Sequence, residues 1–208
     1  MGTTVFQNPF STRFVRPGAI PWHSTDTSLN SLFLRLYDTD NRAIICGPHG
    51  TGKSTILSHL ASAAQRQGLQ VHCLRMCSWL DAIGVMRVFA IINPKYSLVS
   101  IDSWERLGFL GWFLCRLADF RGIRVVVTVH HRTWWNNWPV LLNTEVDEKT
   151  FHGLVQELLA KFSGTETIEF NDAMLKDVFQ RHSGNVRESF FELYDHYERQ
   201  YRTTLSAK

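Results

Sequence analysis

Cysteine is scarce in this chain: there are four in 208 residues, at positions 46, 73, 77 and 115, with no C-x-x-C pair and no histidine at zinc-ligand spacing. That excludes a disulfide framework and a zinc-finger arrangement, and the thiols are expected to be reduced residues of the core. Long apolar runs are missing as well. The stretch 107–114 is closed by Arg116, and 79–92 is interrupted by Asp81 and Arg87, so neither makes a membrane span. The first residues are polar and contain proline, without the pattern of a secretory signal, and a cytoplasmic protein is expected. A strong charge excess is also absent, the net value being +3. The charge is uneven, however: residues 1–144 hold 14 Lys and Arg against 7 Asp and Glu, while 145–208 hold 8 against 12. The change places a boundary near 144 and leaves nucleic acid open as a partner of the basic part.

What is present in full is Gly47-Pro48-His49-Gly50-Thr51-Gly52-Lys53-Ser54, followed by Thr55. It matches the phosphate-loop pattern G-x-x-x-x-G-K-S/T, between an apolar strand at 43–46 and a helix at 54–66. Glycines 47, 50 and 52 allow successive backbone N–H groups to turn inward around a polyphosphate. Lys53 adds a positive charge, the helix N-terminus faces the same anion, and the Ser54 hydroxyl is placed to reach a magnesium ion. A nucleotide polyphosphate with Mg2+ is therefore the expected ligand, bound by residues 47–55, and the lack of a guanine-reading Asn-Lys-x-Asp stretch makes ATP the expected nucleotide.

Along the chain, 1–26 is irregular and rich in turn formers, yet carries Phe6, Phe10, Phe14, Val15, Ile20 and Trp22. It is expected to pack near the nucleotide, with 14–20 supplying contacts to the base. Leu29, Leu32, Phe33 and Leu36 predict an amphipathic helix over 28–37. After the loop helix come a strand at 69–74, a short buried helix at 79–92 ended by Asn93-Pro94, a strand at 96–102, a long helix at 104–120, a β-branched strand at 123–129 and a last strand at 140–142. Strands alternating with helices predict a three-layer α/β core with a parallel sheet over 27–144. The helix at 104–120 is apolar well beyond one stripe, through Phe109, Trp112 and Phe113; such width fits burial on more than one side, with self-association as the other reading. From 145 to 208 three helices are expected, at 149–162, 172–182 and 186–201, forming a small lid.

The strand at 96–102 ends in Asp102, where phosphate-loop proteins keep the acid that holds magnesium; a plain helix cap is the other use of such an aspartate. Thr128, His130, His131 and Arg132 close the strand at 123–129, and side chains there lie at the carboxyl end of the sheet, near the terminal phosphate. Paired histidines raise the question of a metal, but neighbours on a strand face opposite ways and no third ligand is evident. Trp134, Trp135 and Trp138 form an aromatic loop that reads as a partner platform, a base-stacking surface or a plug against the N-terminal segment.

Together the loop, the strand ending in Asp102, the strand ending in Thr128 and the stretch Gly184-Asn185-Val186-Arg187 resemble an AAA+ ATPase, in the manner of origin initiators and STAND-like signalling ATPases. The resemblance covers about 27–201. It implies that Thr128 is the polar sensor that positions water and Arg187 the lid arginine that reaches the phosphates. In the first turn of its helix Arg187 can also be read, from the residues alone, as projecting toward the cleft. Two departures stand out. Ser103 and Trp104 follow Asp102 where the family places a glutamate, so Glu105 is the nearest acid able to act as base and hydrolysis is expected to be slow. No arginine finger can be assigned beyond the location of Arg121, Arg124 and Arg132.

With no Leu-Ser-Gly-Gly-Gln stretch a transport ATPase is disfavoured, and with no Asn-Lys-x-Asp stretch a GTPase is. The expected function is ATP hydrolysis that drives or times a lid or oligomer rearrangement. A switch that binds ATP without turnover is the alternative, and a small-molecule or nucleotide kinase the second. Catalytic candidates are Lys53, Asp102, Glu105, Thr128 and Arg187, with Ser54 and Asp102 at the metal. A homo-oligomer and a protein partner both stay open.

Overall fold

The computed structural model describes residues 7–20, 29–132, 137–162 and 170–206. Phe6, Trp22, Ser28, Trp134, Trp135 and Asn136 lie outside the described residues. The chain forms two units, one comprising Ser24–Pro48 and Gly52–Thr144, the other Met1–His23, His49–Thr51 and Glu145–Lys208.

The first of these is built on five parallel strands: β1 (Arg42–Cys46), β2 (Gln70–Arg75), β3 (Ser97–Asp102), β4 (Arg124–Val129) and β5 (Val140–Asn143). Their order across the sheet is β2-β3-β4-β1-β5. The three central strands are the β-branched and aliphatic runs of the sequence, and Ile44, Val99, Ile101, Val125 and Val127 are buried in one cluster. Strands covered on both faces lose their polar alternation, which is why these segments are continuously apolar. One face carries α2 (Leu29–Asp38) and α3 (Lys53–Arg66). The other carries α4 (Ala82–Ile91) and α5 (Phe109–Arg121), each preceded by a single 3-10 turn, at Trp79–Asp81 and Trp104–Leu107. The result is the three-layer α/β arrangement that the strand and helix alternation predicts.

Two segments depart from expectation. The helix anticipated over 104–120 breaks at Gly108, which takes φ 54 and ψ −134, a conformation that denies the helix to residues with a β-carbon. Both α4 and α5 also bury only one stripe: Val85 and Phe89 on α4, Leu114 and Ala118 on α5. Their outward residues stay in solvent, Phe109 at 66% and Phe113 at 50% exposure. The anticipated burial of this width is therefore corrected, since one sheet can cover only one side of a helix. Trp138, by contrast, enters the core. It is 6% exposed, lies 5.8 Å from the Trp104 ring and donates its indole N–H to Asp119 at 3.0 Å.

The other unit gathers α6 (Glu148–Lys161), α7 (Asp172–Arg181) and α8 (Val186–Ser206) with a short N-terminal turn, α1 (Thr12–Val15). Asp147 and Asn171 cap α6 and α7 by accepting from Thr150 and Met174 N–H. Phe10 is fully buried here, with ring centroids of Phe170, Phe190 and Tyr197 at 5.6, 5.9 and 6.3 Å. Asn8 anchors it: its Oδ1 accepts from Phe10 N–H, and its Nδ2 donates to Tyr194 O and Glu198 Oε1, both at 3.1 Å. The N-terminal segment is thus a structural part of this helical unit. Phe10→Ala is expected to cost about 3–5 kcal/mol, the usual range for deleting a buried phenyl ring, and urea unfolding with a loss below about 1 kcal/mol would show that the segment contributes little.

Candidate functional site

The loop between β1 and α3 is shaped by glycine where a side chain has no room. A β-carbon on Gly47 would overlap Thr144, and Gly52 takes φ 86 as it turns the chain into α3. A β-carbon on Gly50, in the segment grouped with the helical unit, would overlap the Asn185 side chain. Lys53, the first residue of α3, is 6% exposed. Its ammonium donates to Gly47 O at 2.6 Å and Pro48 O at 2.5 Å, and lies 3.1 Å from His130 Nδ1. A lysine has three N–H donors and no acceptor, so a charged Lys53 makes Nδ1 the acceptor and leaves the proton of a neutral His130 on Nε2. That nitrogen lies 3.1 Å from Glu105 Oε1, to which it can donate. Lys53, His130 and Glu105 form one chain of contacts.

Beside it stands a second cluster centred on Asp102. Ser54 Oγ lies 3.0 and 2.9 Å from the two carboxylate oxygens, and Thr128 Oγ1 donates to Oδ1 at 2.6 Å. Arg75 reaches Oδ2 with Nε and a terminal N–H, both at 3.4 Å. Thr128, 1% exposed, also accepts from Ser103 N–H at 2.9 Å. Its hydroxyl is therefore engaged in holding the β3 end. Ser103 sits at φ 63, ψ 46, left-handed values that cost a residue with a side chain about 1–2 kcal/mol. This reversal starts the 3-10 turn and brings Glu105, three residues past Asp102, back beside Lys53.

Burial sets the electrostatics. It pushes the Lys53 ammonium below its ordinary pKa, against the opposing pull of Glu105 and Asp102. It pushes the Glu105 carboxyl above the usual range, only partly offset by Lys53. Glu105 Oε2 is buried with no hydrogen-bond partner, an orphaned acceptor that suits a carboxyl waiting to take a proton.

Ser54 and Asp102 supply oxygen donors of the kind magnesium prefers, with room in its coordination shell for nucleotide oxygens and water. Among the described residues no group of three or more His, Cys, Asp or Glu is placed to hold a metal by itself. Thr51 is buried, and His49 and Arg187 are exposed. Arg187 lies in the first turn of α8, its N–H bonded to the capping Asn185 Oδ1 at 3.1 Å. Phe14, expected among the base contacts, lies 4.5 Å from the Phe162 ring, and Val15 and Ile20 pack against the helical unit's core. Arg75 was not anticipated. Its only signal is position: it ends β2 in register with Asp102 at the end of β3, and strand register is invisible in a local pattern. His130 follows β4 at the carboxyl end of the sheet, and its double contact with Lys53 and Glu105 rests on geometry that the sequence does not carry.

No protein-family model matches the chain, and no curated protein does. Solved structures share its fold. The replication initiator DnaA bound to AMPPCP and single-stranded DNA aligns with TM-score 0.55 at 16% identity, over 84% of this chain and 63% of that one. AMPPCP-bound DnaA from Aquifex aeolicus aligns with TM-score 0.54 at 16% identity, over 84% of this chain and 62% of that one. The likeness is one of fold, and this chain spans less than two thirds of those proteins.

The raised Glu105 pKa has a consequence for stability. In the pH window above the ordinary carboxylate value the folded protein keeps a proton that the unfolded chain has released, so stability falls as pH rises through it. Glu105→Gln removes that dependence. Its melting temperature should exceed that of the native protein at neutral pH and approach it at mildly acid pH, whereas a constant difference would contradict a buried, raised carboxyl.

Proposed function

We propose that the protein binds ATP with Mg2+ on the loop at 47–55, and that it is an AAA+-like ATPase whose slow hydrolysis times a movement of the helical unit. The observation that carries this reading is the Ser54–Asp102 pair: a loop hydroxyl and a strand-end carboxylate in contact beside a buried lysine, the donor set a magnesium nucleotide needs. The related fold of proteins solved with AMPPCP supports it.

In this reading Ser54 and Asp102 hold the metal, which when bound would neutralise phosphate charge. Lys53 exchanges the carbonyls of Gly47 and Pro48 for phosphate oxygens. Backbone N–H groups of the loop, from His49, Gly50 and Thr51 to Thr55, surround the anion, while Pro48, which has no N–H, shapes the turn. Glu105 takes the proton of the attacking water, and His130 orients it by donating from Nε2. Thr128, its hydroxyl given to Asp102, keeps the metal ligand in place. Arg187 joins the phosphates from the helical unit, which acts as the lid, so that nucleotide occupancy is converted into a change of shape. The N-terminal segment 1–26, the core 27–144 and the helical unit 145–208 then correspond to a strap, a nucleotide-binding core and a lid.

All four cysteines are free thiols, which suits the reducing cytoplasm. Among the described residues no helix is long and apolar enough to cross a membrane. The basic surplus of residues 1–144 is compatible with nucleic acid, and one of the related structures is a DnaA complex with single-stranded DNA.

Lys53→Ala should abolish ATP binding measured by calorimetry at nucleotide concentrations that saturate the native protein; unchanged affinity refutes the site. A second reading, a switch that binds without turnover, is favoured by Ser103 standing where a glutamate base is usual and by the engagement of Glu105 with His130. Phosphate release decides between them. Glu105→Gln should lower it about 100-fold or more, the range for removing a general base, with ATP affinity retained; a rate equal to that of the native protein selects the switch.

A further inference from the structure

The outer side of the α4/α5 layer is apolar in a way the core does not explain. Ten of the fourteen large apolar side chains exposed among the described residues lie on α4, α5 and the turn before α4, so the exposure is concentrated on one layer rather than scattered. Trp79, Ile83, Met86, Phe109, Phe113 and Phe120 are between 38% and 90% exposed. At 150–250 Å² for a full aromatic side chain, the ten present on the order of 1,000 Å². A monomer's largest apolar patch is usually about 300–600 Å², and a stable interface takes about 800 Å² from each partner.

Charge narrows the occupant. The cations exposed on this layer are Arg87, Arg106 and Arg116, and neither helix contains lysine. The layer's acids are spent elsewhere: Asp81 Oδ2 accepts from Cys77 and Ser78 N–H, Asp119 pairs with Arg42 and accepts from Trp138, and Glu105 is engaged with His130. A second copy docking through the same face would set arginine against arginine, which disfavours self-association. Aromatics, methionine and arginine without lysine are the composition of protein interface cores, whereas lipid-binding faces use lysine and arginine alike. Between β2 and α4 a cleft of about 280 Å³ is lined by Leu74, Met76, Leu80 and Ile83 together with Arg75, Arg87 and Asp81; Asp81 is occupied by the Cys77 and Ser78 N–H groups, which leaves the two arginines for an incoming carboxylate.

We propose that this face docks an acidic amphipathic helix of another protein, its apolar stripe on the aromatics of α4 and α5 and its Glu or Asp residues on Arg87, Arg106 and Arg116. The face meets the nucleotide cluster only at Arg75, which lines the cleft and also bonds Asp102, and the proposed contacts with Arg87, Arg106 and Arg116 do not depend on ATP binding. The test uses the full chain and two synthetic amphipathic helical peptides with the same Leu stripe, one flanked by Glu and the other by Lys, read by fluorescence anisotropy. The Glu-flanked peptide should bind at least tenfold more tightly. Phe109→Ser with Phe113→Ser should weaken it at least tenfold while circular dichroism stays native, and Arg116→Glu, with the apolar surface intact, should reduce the preference for Glu. Equal affinity for both peptides, no binding of either, or binding unaffected by these substitutions would overturn the proposal. So would a dimer in light scattering that the Phe109/Phe113 variant abolishes, or equal competition by phosphatidylserine vesicles.

Discussion

Desolvation of three charged side chains at the carboxyl end of a parallel sheet is the constraint on which the rest of the site depends. Lys53 is buried and Asp102 and Glu105 are half-buried, and charges drawn out of water call for local compensation. Lys53 is compensated by two loop carbonyls and His130, Asp102 by Ser54, Thr128 and Arg75. Glu105 is compensated least, with one oxygen facing His130 and the other orphaned. That ranking separates their uses. A carboxylate surrounded by three donors is suited to hold a cation, and one whose pKa burial has raised is suited to exchange a proton.

The sheet supplies the geometry for this compensation. Ile45 pairs with Thr128, and Cys46 with Val129, so the loop leaves β1 level with the end of β4. Arg75 and Asp102 end β2 and β3 in register. Because the strands are parallel, their carboxyl ends gather on one edge, and residues far apart in sequence arrive there without any loop having to fold back. Ser103 takes a strained left-handed conformation, and its position directly after Asp102 is what returns Glu105 to the cluster.

Much of this was legible before the fold was known, and the reasons differ by element. The phosphate loop, β1, β3 and β4 announce themselves because their signals are local: a glycine pattern, and runs of branched apolar residues that only a doubly covered strand can use. Asp102 was legible by its place at such a run's end. What could not be read depends on distance or on context. The partnership of Arg75 with Asp102 is a matter of register, and the burial of Phe10 among Phe170, Phe190 and Tyr197 joins residues about 160 to 190 positions apart in this chain. Thr128 was placed correctly at the strand end, but a hydroxyl's partners follow from geometry that composition does not encode. The outward phenylalanines of α5 misled because hydrophobic width reads the same whether a helix is buried in its own chain or leaves a face for something else.

Ser54 and Asp102 are the proposed metal half of a nucleotide site. The most direct measurement is the affinity of the native protein for ATP, titrated by calorimetry with Mg2+ and again with the cation chelated. Binding at least tenfold tighter with Mg2+ is the predicted result, and equal affinity in the two conditions would contradict the role assigned to that pair.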